Sequence, residues 1–404
     1  MKISKIGFPL VNNPLNKVYN KKMMFKGQKD SFEKSISVKG SETEAKIYTE
    51  NINQVAIDQI KEFCNHPAFK DAPIRIMPDV HAGKNSVVGF SAPIINGKVV
   101  PNVIGSDIGC GMLCCELDTN GEEIDYEALD NVIQKYISVS HTFVPTVRKE
   151  NVKTIEQDLR TLCNETLGAN PEKAIAGLGT LGGGNHFIEI DQSSDGRKFL
   201  VIHTGSRNLG QLVCNHHHNI ALQQNPYLNP DLSFLTGDEA QKYLQDMKMA
   251  QKYAQVNRKI IADEIVKQMG WKVADSFESV HNYIDDKNIT RKGAISAANG
   301  EKIIIPLNMR DGAIIALGKG NVDWNQTAPH GAGRKLTRTQ AMETIQMEDY
   351  KKSMNGIYTT SICKNTLDEC PQAYKDSDEI AFNITPTAEI VDKIRPKYNF
   401  KNKK

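Results

Sequence analysis

Histidine is scarce in this chain, ten in 404 residues, so the places it occupies carry chemical information. In Val103-Ile-Gly-Ser-Asp107-Ile-Gly-Cys110-Gly a carboxylate and a thiol stand three residues apart in a glycine-rich turn. Flanking glycines let such a backbone fold tightly enough for both side chains to face one ion. His186 enters an apolar stretch after Gly182-Gly-Gly-Asn185, His203 ends Phe-Leu-Val-Ile-His, and His281 precedes Asn282 at the end of a further segment. A lone histidine is more often a packed core or loop residue than a ligand. Three of them at strand ends, together with Asp-x-x-Cys, point to a metal site. Softness alone favours zinc or iron for such mixed donors, and one thiolate among imidazoles can bridge two ions, an arrangement suited to phosphoryl chemistry. The run His216-His217-His218 falls on the polar side of a helix start and reads as solvated.

A second dense segment is Ala328-Pro-His330-Gly-Ala-Gly333-Arg334-Lys335. Small residues after His330 leave backbone N–H groups free to approach a phosphate, and Arg334 can neutralise one. A histidine in this setting can serve as base, ligand or phosphoryl-accepting nucleophile.

These residues need elements to position them. Periodicity predicts a helix over Ile52–Asn65 and strands over Ile74–Met77, Ser86–Ile95, Phe199–His203, Ile303–Ile305 and Ala313–Leu317. Val99–Gly111 reads as a buried strand running into a tight turn. The longest helix signal follows Thr236, whose spacing to Glu239 is that of a capping box; apolar residues from Tyr243 to Ile265 recur at three- and four-residue steps, and Gly270 closes it. There is no tandem repeat and no linker, so the expectation is one large α/β catalytic domain over 41–404, mixed sheets or a sandwich surrounded by helices around a central metal cleft. Residues 1–40 read as a basic N-terminal extension.

Composition bounds the rest. With 39% hydrophobic and 24% charged residues the chain is globular in character, and a net charge of +2 excludes a strongly basic whole-protein field, so any nucleic-acid site must be a local patch. Residues 1–29 hold seven lysines and no acid, yet the first arginine is Arg75, unlike a mitochondrial presequence. No apolar run approaches the roughly 18 residues of a membrane span, and eight irregularly spaced cysteines do not form a disulfide framework. A cytoplasmic location is expected, with no membrane partner.

Six segments stand in one order: Met77-Pro-Asp79-Val-His-Ala-Gly-Lys, Asp107-Ile-Gly-Cys-Gly-Met, Gly179-Thr-Leu-Gly-Gly-Gly-Asn-His-Phe-Ile-Glu, His203-Thr-Gly-Ser-Arg, Arg291-Lys-Gly-Ala-Ile-Ser-Ala and His330-Gly-Ala-Gly-Arg. That order resembles the RtcB family of RNA-splicing ligases, over roughly Ser41 to Lys401. The resemblance implies a GTP- and Mn2+-dependent ligase joining an RNA 3′-phosphate or 2′,3′-cyclic phosphate to a 5′-hydroxyl, in tRNA splicing or RNA repair, with an activating protein of the archease type as a possible partner. It implies that Asp107, Cys110 and His186 hold one Mn2+ and that Cys110, His203 and His281 hold a second. Manganese rests on the resemblance, since softness favoured zinc or iron.

The resemblance further makes His330 the nucleophile that carries GMP and Asp79 the carboxylate that orients its ring. Nucleotide contacts fall to Asn185, His186, Glu189, His281, Asn282, Pro306, Leu307, Asn308, Met309, His330, Gly331, Ala332, Gly333, Tyr374 as a stacking ring, and Lys401 as the reader of the base. One segment departs from the family pattern. Where Pro-Gly-Ser-Met-Gly and a later serine are usual, this chain has Pro306-Leu307-Asn308-Met309-Arg310-Asp311-Gly312-Ala313. The missing hydroxyl at Ala313 implies relaxed selectivity for GTP over ATP. Two other readings compete: a metal-dependent phosphodiesterase acting on RNA cyclic phosphates, which would need no His330 loop, and a non-catalytic RNA-binding relative, which would have lost ligands that are all present here.

Overall fold

A strand whose two faces are both covered should show an unbroken apolar run instead of alternation. Residues 111–115 and 199–202 do, and in the computed structural model, which describes residues 35–137 and 146–403, both lie in the middle of a sheet. The strands in chain order are β1 Ile36–Lys39, β2 Glu44–Ile47, β3 Ile74–His81, β4 Val88–Pro93, β5 Gly111–Asp118, β6 Phe187–Gln192, β7 Lys198–Thr204, β8 Lys272–Val280, β9 Asn282–Ile284, β10 Ile289–Lys292, β11 Ala294–Ser296, β12 Lys302–Asn308, β13 Gly312–Gly318, β14 Thr327–Pro329 and β15 Ala388–Phe400. They form a seven-stranded sheet in the order β12-β13-β15-β6-β7-β5-β8, a six-stranded sheet β1-β2-β3-β4-β10-β9, and the pair β11-β14. The α/β class expected from sequence is the one observed.

The seven-stranded sheet curls until its edges approach, with Ile304 N on β12 donating to Ser279 Oγ on β8 at 3.0 Å. Met112, Cys114, Phe187, Phe199 and Val201 line its inside together with Ile304, Ala313, Ile315 and Ile394. Leu113, Cys115, Ile188, Ile190, Leu200 and Ile202 point outward against Ile261, Ala262 and Ile265 of the long helix Gly237–Met269. Earlier turns of that helix, through Tyr243, Met247, Ala250 and Tyr253, pack on Leu209, Val213 and Ala221 of the helix Arg207–Gln224. On the six-stranded sheet, Ile60, Phe63 and Cys64 of the helix Gln54–Cys64 cover Ile47, Ile74, Ile76 and Phe90.

The structure corrects several expectations. Val99–Gly111 is not a strand: Pro101 opens a single helical turn, Pro101–Ile104, where its missing N–H costs no bond, and pairing starts only at Gly111. Thr236 caps the long helix without a side-chain hydrogen bond, so the capping box is not made, although Asp238 and Glu239 still complement the helix dipole and Gly270 closes the helix at φ +69°. His217 is not solvated; it is wholly buried, with Nε2 2.9 Å from Asp246 Oδ2 on the neighbouring helix. At the N-terminal side, Ile36–Lys39 already pairs with β2, ahead of the Ser41 boundary, while residues 1–34 of the basic extension lie outside the described residues. No helix among the described residues is long and apolar enough to cross a membrane.

Candidate active site

Strand register assembles the metal-type residues. Cys110 precedes β5, His186 precedes β6, His203 is the penultimate residue of β7, and His281 sits between β8 and β9. Met112 on β5 pairs with His203, Phe187 on β6 pairs with the same His203, and Gly111 pairs with Val280 on β8. Four residues remote in sequence therefore arrive at one end of the curled sheet. Cys110 Sγ lies 3.2 Å from His203 Nε2 and 3.5 Å from His186 Nε2, His203 Nε2 lies 3.4 Å from His281 Nε2, and His186 Nε2 lies 3.4 Å from Asp107 Oδ2. The Asp107 loop leaves no room for a side chain at Gly205, where a Cβ would fall 2.0 Å from Asp107 Oδ1.

The donor set fits a cation. Nδ1 of His186 faces the Leu181 carbonyl at 3.0 Å, and Nδ1 of His203 faces the Asn185 carbonyl at 3.2 Å. A carbonyl only accepts, so these Nδ1 atoms carry the protons and both Nε2 atoms turn bare lone pairs toward Cys110. Lone pairs crowded within 3.5 Å with few protons to share are compensated by a positive ion at their centre. Burial, and then the neighbouring His186 or His330, pushes the His203 and His281 imidazoles well below their usual range, which keeps them neutral as ligands must be.

His330 follows β14 and meets β3 of the six-stranded sheet. Its Nδ1 lies 2.7 Å from Asp79 Oδ2, and the same oxygen accepts the backbone N–H of His330 at 3.1 Å and of Gly331 at 3.3 Å. Asp79 is fully buried. Nδ1–H thus donates to the carboxylate, which leaves Nε2 free of that bond on a partly exposed ring whose centroid is 4.8 Å from that of His281. The turn needs Gly333, at φ +73°, because a Cβ there would lie 2.1 Å from the Asp79 carbonyl oxygen.

A cavity of about 480 Å³ opens over both features, lined by His203, His281, His330 to Gly333, Asn185, Glu189, Pro306 to Met309, Tyr374 and Lys401. Of the residues expected at the nucleotide, His186 and Asn282 stand behind its wall. Asn282 holds the Asp107 loop, donating to the Asp107 carbonyl at 3.0 Å and accepting from Gly293 N at 3.0 Å. Glu189, against Asn399 Nδ2 at 2.6 Å, has its carboxyl pushed up to about 7 by burial. The divergent hairpin is closed on itself: Arg310 pairs with Asp311, Asn308 Nδ2 donates to Asp311 Oδ2 at 2.8 Å, and Asn308 Oδ1 caps the N–H groups of Arg310 and Asp311. Ala313 does not reach the cavity; it is buried inside the curled sheet, which removes the basis for reading its missing hydroxyl as a lost base contact.

The family model described as tRNA-splicing ligase RtcB matches residues 59–402. The chain belongs to the RtcB family. It is 29% identical to the RNA-splicing ligase RtcB of Escherichia coli over 80% of this chain and 88% of that relative. It is 26% identical to the tRNA-splicing ligase RtcB of Aeropyrum pernix, over 80% of this chain and 86% of that one. The RNA-splicing ligase RtcB homolog 1 of Entamoeba histolytica matches at 28% over 79% of each chain.

Sequence reasoning missed several residues of this RtcB site. Asn257 and Arg258, in mid-helix, hold the loops that carry the metal-type side chains. Asn257 accepts from Gly179 N and Thr180 N and donates to Thr180 O, while Arg258 Nη1 donates to the carbonyls of Gly109 and Thr204, each at 2.9 Å. Two polar residues inside an apolar helical stripe were the available signal. Glu369, Arg338 and Lys84 at the cavity gave no comparable one.

Proposed function

We propose that this RtcB-family enzyme is a GTP- and Mn2+-dependent RNA ligase that joins a 3′-phosphate or 2′,3′-cyclic phosphate end to a 5′-hydroxyl end, in tRNA splicing or RNA repair. The observation that carries this reading is His330: an imidazole held through Nδ1 by a buried carboxylate, at the wall of a cavity that His203 and His281 of the Cys110 cluster also line.

On this reading His330 Nε2 attacks the α-phosphorus of GTP, forming an N–P bond as pyrophosphate leaves. Asp79 keeps the proton on Nδ1 and stabilises positive charge that develops on the ring, as the carboxylate of a catalytic triad does. An RNA 3′-phosphate oxygen then displaces Nε2 from phosphorus, giving an RNA–ppG end and restoring the free imidazole. The 5′-hydroxyl oxygen attacks the RNA phosphorus, loses its proton and expels GMP. A cyclic phosphate is first opened by water to the 3′-phosphate. Asp107, Cys110 and His186 would hold one Mn2+ and Cys110, His203 and His281 a second; when bound, the ions supply Lewis-acid polarisation of phosphoryl oxygens and neutralise phosphate charge. Tyr374 offers a stacking face and Lys401 an ammonium for a base-edge carbonyl.

The test supplies the protein with one RNA ending in a 3′-phosphate and another beginning with a 5′-hydroxyl, with Mn2+ and with or without GTP. Joining that depends on GTP is expected. Opening of cyclic phosphates with no joined product under any condition would favour the phosphodiesterase reading.

A further inference from the structure

Glu369 ends a short 3-10 turn, Lys364–Glu369, and its carboxylate is almost wholly buried at the wall of the cavity. Each of its oxygens accepts two donors. Oε1 takes Arg334 Nη1 at 3.2 Å and Arg338 Nη1 at 2.6 Å; Oε2 takes the Tyr374 hydroxyl at 2.7 Å and Lys401 Nζ at 3.2 Å. Burial alone would push this carboxyl up, but the charges of Lys401, Arg338 and Arg334 and the Tyr374 hydroxyl outweigh it and hold it below its ordinary value. Lys401 Nζ also donates to the Asn185 carbonyl at 3.2 Å, so among the described residues two of its three N–H bonds have hydrogen-bond acceptors and the third can turn to a ligand. The Arg334 guanidinium lies over the Tyr374 ring, 5.3 Å from its centroid.

We propose that Glu369 is the positioning residue for base recognition: its two oxygens hold Lys401 and Tyr374 on one side and Arg334 and Arg338 on the other, in the arrangement that selects a guanine nucleotide. The proposal rests on the nucleotide reading above. Without this carboxylate, three cations would crowd one buried wall, and the lysine ammonium would lose the partner that aims its free N–H.

The test exploits the fact that glutamine has the shape of glutamate but only one accepting oxygen. Its NH2 group must confront one of the two donor pairs, so E369Q cannot keep all four bonds. GTP and ATP binding is measured by calorimetry in a His330→Ala background, which binds without reacting. E369Q should lower GTP affinity by about tenfold or more while ATP affinity changes about twofold or less, narrowing the discrimination. Unchanged affinities for both nucleotides in folded E369Q overturn the proposal. Should E369Q not fold, Tyr374→Phe removes only the hydroxyl that Oε2 accepts and keeps the ring; discrimination is then expected to fall about two- to tenfold, and unchanged discrimination overturns the role of Glu369. Protein with the native Glu369 that binds no GTP in the presence of Mn2+ overturns the nucleotide reading itself.

Discussion

His330 and Asp79 are 251 positions apart, one just past β14 and the other on β3, yet a single oxygen of Asp79 accepts three N–H groups from the His330–Gly331 turn. The other oxygen, Oδ1, is buried with no hydrogen-bond partner among the described residues. The carboxylate therefore does two things through one atom: it shapes the turn by its backbone bonds and it fixes the imidazole tautomer by its bond to Nδ1. Neither would follow from a surface ion pair, which contributes little and is easily rearranged.

Replacing Asp79 by asparagine tests this division. The amide oxygen can take over the three bonds and the NH2 can occupy the place of Oδ1, so the turn should persist, with a stability loss on the order of 1–3 kcal/mol for the newly buried donor. The charge that stabilises the ring during attack is gone. Transfer of GMP to the protein should slow by roughly two to four orders of magnitude, by analogy with the same change in a serine-protease triad. A rate within threefold of wild type would remove Asp79 from the chemistry.

Cys110→Ser exchanges the thiol whose sulfur faces two imidazoles for a hydroxyl, a poorer ligand at neutral pH. Metal content after dialysis should fall, and every chemical step should fall with it. Full metal stoichiometry together with full joining activity would make Cys110 an ordinary core thiol.

Ala313 packs in the cluster that contains Phe187, Phe199, Val201 and Ile304. Ala313→Ser places a hydroxyl in that apolar interior, and a loss of about 1–3 kcal/mol in urea unfolding is expected. Nucleotide preference should not change, since the position does not face the cavity. A sharper GTP preference in this variant would show that residue 313 does read the base.

His66 gives a pH prediction away from the site. Burial, and then the charge of Lys98, pushes its imidazole down to about 4; Nδ1 accepts from Ala68 N at 3.3 Å and Nε2 is buried with no hydrogen-bond partner among the described residues. The unfolded chain takes up a proton near 6.5 while the folded chain resists until near 4, so the contribution is complete above about 6.5 and is lost as pH falls toward 4. Its size is up to on the order of 2–3 kcal/mol. His66→Gln should flatten the decline of stability between pH 7 and 4.5 relative to wild type in urea titrations; parallel profiles would assign the decline to other groups.

Much of the site was legible because glycine-flanked functional residues interrupt apolar strands. Cys110, His186 and His203 each sit at a strand boundary, where the local pattern breaks and a side chain can leave the core. What remained hidden depends on tertiary register. Nothing near Glu369 signals that two arginines, a tyrosine and a lysine from separate segments converge on it. His217 looked solvated because its partner, Asp246, arrives from another helix. Val99–Gly111 misled because an apolar run with Pro101 fits a buried helical turn as well as a strand. The 308–313 hairpin likewise shows its self-closure only once Asn308, Arg310, Asp311 and Ser377 are brought together.

The most direct test of the account is whether His330 becomes covalently guanylylated. Wild-type protein is incubated with Mn2+ and GTP labelled at the α-phosphate, then digested and mapped by mass spectrometry, beside His330→Ala. Wild type should carry an acid-labile GMP adduct on the peptide containing His330 and the variant none, while the variant should still bind metal through the Cys110 cluster. An adduct of equal yield in His330→Ala, or joining of RNA ends by wild type with no GMP ever attached to the protein, would contradict it.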